Sequence, residues 1–80
     1  MRVSELIATR TRYLLAKKAM SQYRLEMLTG LDHSTMTSLL SAKNKGANIR
    51  TIMLICNALG ITVAEFFDDP IFKNENIDLD

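Results

Sequence analysis

The most constraining feature of this 80-residue chain is the helix punctuation packed into "SQYRLEMLTGLDHSTMTSLLS", residues 21–41. Ser21 is a good helix start, because its hydroxyl can accept from a free amide of the first turn. Gly30 is a helix stop, because glycine tolerates the left-handed conformation that ends a helix. Asp32 is a second start only two residues later. The pattern predicts one helix over 22–29 and another over 33–41, joined by the three residues Gly30, Leu31 and Asp32.

The rest of the chain extends this helical reading. Val3, Leu6, Ile7, Arg10, Tyr13, Leu14 and Lys17 recur at helical spacing and predict a first helix over 3–18, with Arg10 at the edge of its inner face. "AKNKGAN" reads as a polar, basic loop. Asn48 can start a helix over 49–59 that Gly60 ends, with Ile52, Ile55, Cys56 and Leu59 inside. Thr62 and Glu65 form a capping box, in which hydroxyl and carboxylate each satisfy a free amide. A short fifth helix follows, carrying Val63, Phe66 and Phe67 and stopped by Asp68, Asp69 and Pro70. The composition agrees: 48% of residues are apolar, with only three Gly and one Pro. The expected fold is an all-α, five-helix domain over residues 1–69. Residues 70–80 form a C-terminal tail without periodicity, loosely held unless Ile71 and Phe72 dock on the core.

Several function classes are poorly served by these residues. Cys56 is the one cysteine and His33 the one histidine. No internal disulfide can form, and two such residues cannot close a zinc site. Charged residues interrupt the N-terminus, so no signal peptide is expected, and no apolar run approaches membrane-spanning length. These points fit a cytoplasmic location. Charge is unevenly divided: residues 1–50 hold nine Lys/Arg and three acids, and residues 51–80 hold one Lys and six acids. Such asymmetry fits a chain whose first part faces a polyanion, although chance can also produce it in so short a chain.

Placed on a helix, residues 33–41 divide into two arcs. His33, Ser34, Thr37, Ser38 and Ser41 share one; Met36, Leu39 and Leu40 share the other. The first arc offers short groups that donate and accept hydrogen bonds. Catalysis is disfavoured, since no carboxylate is placed to orient His33 as a base for Thr37 or a serine, and Asp32 is occupied as a cap. The chain is therefore not expected to be an enzyme. A merely solvated polar face is the plain alternative. Two short helices across a glycine turn weigh against it, because this is the helix-turn-helix arrangement whose second helix enters the DNA major groove.

At this point the sequence strongly resembles the Cro/lambda-repressor (XRE) family of helix-turn-helix domains, over roughly residues 5–68. The matching pieces are "MSQYRLEMLTGLDHSTMTSLLSAKNK" and "NIRTIMLICNALGITVAEFF". The resemblance implies a DNA-binding transcriptional regulator, expected to repress. Gln22 matches a position that touches phosphate and braces the recognition helix, and Tyr23 is a further candidate for phosphate contact, with core packing as its alternative. His33, Ser34, Thr37 and Ser38 match reading positions. Ser41, Lys43, Asn44 and Lys45 match backbone-contact positions.

The partner implied is double-stranded DNA, bound by a homodimer on paired half-sites; no cofactor or small-molecule ligand is expected. The reading face departs from the family in lacking the Gln, Asn or Arg that make bidentate base contacts, so modest direct readout is expected. Leu28, Leu40 and Leu54 fall where family members are usually polar. Leu54, Phe67, Ile71 and Phe72 are dimer-surface candidates, unless the tail folds over them within one chain. The competing reading is a protein-interaction module on the same fold, antitoxin-like or a regulatory partner.

Overall fold

The computed structural model describes residues 1–43 and 47–79. Five α-helices occupy these residues: α1 (Val3–Lys17), α2 (Gln22–Thr29), α3 (His33–Leu40), α4 (Ile49–Leu59) and α5 (Val63–Phe67). Two single 3₁₀ turns follow, Pro70–Phe72 and Asn74–Asn76. The start and stop residues act as their chemistry predicts. Ser21, Asp32, Asn48 and Thr62 each accept a first-turn amide of the helix that follows, and Gly30 and Gly60 close α2 and α4 in the left-handed conformation. Thr62 and Glu65 form the reciprocal capping box.

Helices α1 and α3 end one residue earlier than the pattern predicts, and by a device the sequence conceals. Ala19 and Ala42 take positive φ of 53° and 59°. Met20 then donates its amide to Leu15 O at 2.9 Å, and Lys43 donates to Ser38 O at 2.9 Å. Both are glycine-type helix stops filled by alanine, which costs about 1–2 kcal/mol of backbone strain at each.

Helix α2 packs on α3 and α4, α1 on α3, and α4 on α5. Leu25, Met36, Leu39, Ile55 and Phe66 lie at the centre, almost wholly excluded from water. Each such side chain contributes about 1.5–3 kcal/mol by burial. Leu40 belongs to this core as well, so its apolar character needs no partner surface.

The inner face of α1 is not the one the apolar spacing marks. Leu6, Ile7 and Leu14 are buried, but so are Ser4, Ala8, Thr11 and Leu15, while Val3, Tyr13 and Lys17 are exposed. Small residues let neighbouring helices approach closely, and the Thr11 hydroxyl is satisfied by donating to Ile7 O at 2.7 Å. Arg10 is the larger correction. It does not lie at an edge but is only 8% exposed. Its Nε donates to Phe66 O at 2.7 Å, Nη2 to Glu65 O at 2.9 Å and Nη1 to Asp69 at 3.3 Å. The guanidinium thus caps the end of α5 and ties α1 to it.

The C-terminal residues fold back on the domain. Phe66, Phe67 and Phe72 form an aromatic cluster, with Phe67 in edge contact with Phe66 at 5.0 Å and with Phe72 at 4.9 Å between ring centres. Asp69 caps the first 3₁₀ turn by accepting from Ile71 N at 3.0 Å, and Asp78 N donates to Met1 O at 2.9 Å.

Candidate nucleic-acid interface

The polar arc of α3 faces solvent beside the start of α2. Met36, Leu39 and Leu40 anchor the opposite side, which leaves His33, Ser34 and Thr37 exposed and Ser38 half-buried. Asp32 is committed as the cap, its Oδ1 accepting from Thr35 N at 2.7 Å. That bond, with both the hydroxyl and the amide of Thr35 involved, holds the Asp32 carboxyl below the usual carboxylate range.

The two helices are joined by four side chains. Gln22 Nε2 donates to Thr37 Oγ1 at 3.0 Å and to Glu26 Oε2 at 2.9 Å. The same Glu26 oxygen lies 2.9 Å from His33 Nδ1. His33 Nε2 in turn lies 3.5 Å from Thr37 Oγ1. Gln22 therefore braces α3 through Thr37. The Gln22 amide, followed by the contact with His33, holds the Glu26 carboxyl low. Its side chain is 13% exposed, against 79% for His33.

Glu26 was missing from the residues marked by sequence. An acid beside a polar arc expected from sequence to face a polyanion looks misplaced when read alone. Its signal was positional: Gln22 and Glu26 are one turn apart on α2, as His33 and Thr37 are on α3, and two such pairs on facing flanks can close a ring.

The remaining marked residues fall around this ring. Tyr23 is 69% exposed, so its ring is not part of the core. Ser41 donates to Thr37 O at 2.6 Å and closes the end of α3, leaving only acceptor capacity outward. Lys43 is exposed just past that end, its backbone held by the bond to Ser38. Arg12 reaches from α1 to donate to Leu40 O, adding a second tie at the same end. Asn44 and Lys45 lie outside the described residues. Of the four dimer-surface candidates, Phe67 and Phe72 are largely spent on one another, and Leu54 and Ile71 are half-buried. No helix among the described residues is long and apolar enough to cross a membrane.

A family model for the Cro/C1-type helix-turn-helix DNA-binding domain matches residues 10–70, from the buried arginine of α1 to the proline after α5. The chain belongs to the Cro/C1-type helix-turn-helix family. Its fold is also that of a solved structure, prophage Lp1 protein 11, at a TM-score of 0.77 and 31% identity. The match covers 84% of this chain and 88% of that one. No curated protein matches the chain. In this Cro/C1-type domain, α2 and α3 are the helix-turn-helix pair, which makes the His33–Thr37 face part of a DNA-binding domain.

Proposed function

We propose that the chain is a cytoplasmic transcriptional repressor that binds duplex DNA as a dimer, one α3 entering the major groove of each half-site. The observation that carries this reading is the exposed polar face of α3, held in place by Gln22 rather than left as loose surface. In this arrangement His33, Ser34, Thr37 and Ser38 meet base edges, while Gln22, Tyr23, Ser41 and Lys43 meet the sugar-phosphate backbone. Serine and threonine are short and read several bases alike, so water and DNA shape carry part of the selectivity.

Titration with duplex DNA at two salt concentrations tests the proposal. Replacing His33 and Ser34 together by alanine should weaken binding to the preferred sequence and leave nonspecific binding in place. Lys43→Ala should weaken binding to all sequences alike and reduce the salt slope by about one. Binding that is indifferent to all three residues contradicts the assignment.

A second reading, a protein-interaction module on the same fold, draws on exposed apolar side chains of two helices packed together: Met27 and Leu28 on α2, Ile49 and Met53 on α4. A stable complex with another protein that excludes DNA would favour it.

A further inference from the structure

The ring at the α2–α3 contact fixes where the His33 proton resides. A carboxylate can only accept hydrogen bonds. Glu26 is ionised near neutral pH, since Gln22 and His33 lower its pKa. The imidazole nitrogen 2.9 Å from its Oε2 must therefore be the one that carries hydrogen, which is Nδ1. A neutral imidazole has a single N–H, so Nε2 is left as an acceptor. Thr37 Oγ1 already accepts from Gln22 and lies 3.5 Å from Nε2, at the outer limit of a hydrogen bond, so the single Nε2 lone pair stays available to a ligand.

This has a consequence for base recognition. In the major groove, adenine and cytosine present amino donors, whereas guanine and thymine present acceptors. An Nε2 acceptor matches the first pair and repels none of their donors; guanine N7 and O6 offer it nothing. We propose that Glu26 is a positioning residue that sets the polarity of the reading face, so that neutral His33 selects an amino-bearing base, adenine or cytosine, at its contact. The ionisable groups interacting with His33 are Glu26 from α2 and Asp32 at the start of its own helix. On the α1 side, Arg12 is engaged at Leu40, the opposite end of α3. The inference rests on α3 entering the groove.

Two measurements test it. Nitrogen-15 spectra of the imidazole in the free protein report the tautomer directly, and should show Nδ1–H in the native chain and mixed tautomers in Glu26→Ala. Selection from a random duplex pool is then run above the window of about pH 5–8 in which imidazoles titrate. Above that window the native chain should prefer A or C over G or T by about two- to tenfold at one position per half-site, the discrimination expected of one hydrogen bond. Glu26→Ala should lose the high-pH preference, and Glu26→Gln, which keeps the shape but not the charge, should fall between the two. A native spectrum showing Nε2–H overturns the inference. So does an unchanged preference in Glu26→Ala, provided His33→Ala abolishes it; groove binding then stands and only the Glu26 role fails. If no duplex is selected, or His33→Ala selects the native motif, the groove reading fails and this inference falls with it.

Discussion

Arg10 and His33 are each a basic side chain beside a carboxylate, yet they occupy opposite kinds of place. Arg10 is buried and its donors are divided among two main-chain carbonyls and Asp69. His33 is exposed, has Glu26 behind it, and keeps one ring nitrogen facing outward to solvent and Thr37. The difference separates structure from function. A buried charge persists only when its hydrogen-bonding capacity is spent inside the molecule, and spent capacity cannot meet a ligand. An exposed polar group with capacity to spare contributes little to stability and is available to a ligand.

The comparison can be broken most forcefully at Arg10. Arg10→Ala strands the Phe66 and Glu65 carbonyls and leaves a cavity, and should cost about 3 kcal/mol. In a domain of this size that lowers Tm by about 10–20 °C, readable by thermal melting. A melt close to native would mean that Arg10 is not the tie between α1 and α5. Thr62→Ala removes one half of the box that starts α5 and should cost about 1 kcal/mol, measured by denaturant unfolding. Ala19→Gly works in the other direction: relief of the left-handed strain should raise stability by up to about 1 kcal/mol, net of the entropy glycine adds to the unfolded chain. His33→Ala should leave the melting curve within about 0.5 kcal/mol of native, as for other exposed substitutions, while altering DNA selection.

Acid sharpens the same contrast. The carboxyls of Glu26, Asp32 and Glu65 are all held below their ordinary values by hydrogen bonds to their charged forms. For groups depressed in this way, the stabilisation is present above the ordinary carboxylate range of about 4 and is lost as pH falls through the depressed folded values. The caps of α3 and α5 and the Glu26 clamp should therefore weaken together in acid. Two of the three Arg10 acceptors are main-chain carbonyls that do not titrate, so the α1–α5 tie should outlast them. Amide exchange followed across a pH series should show α3 and the Glu5-capped start of α1 loosening before the part of α1 around Arg10.

Much of this was legible in the sequence because it is written locally. A cap is a residue type next to a helix start, and Ser21, Gly30, Asp32, Asn48, Gly60 and Thr62 each announce themselves. The amphipathic split of α3 is equally local. What escaped was set by contacts distant in sequence. Helical spacing puts Arg10 at an edge because its partners, Phe66 and Asp69, lie more than fifty residues away. The true inner face of α1 includes Ser4, Ala8 and Thr11, which are buried although no apolar spacing marks them. Ala19 and Ala42 end helices in a conformation that alanine seldom signals. Glu26 needed the turn geometry that swings His33 within reach. The tail, without periodicity, is ordered by Phe72 finding Phe66 and Phe67, an event no local pattern encodes.

If the α2–α3 ring presents the surface that meets DNA, and the Arg10 cluster only holds the domain together, the two must respond differently to a duplex. Backbone amide shifts during titration with a selected duplex test it most directly. The amides of Gln22, Tyr23, His33, Ser34, Thr37, Ser38 and Lys43 should move, and those of Arg10, Phe66 and Asp69 should stay still. Shifts gathered on α5 and residues 70–79, with α3 unmoved, would contradict it.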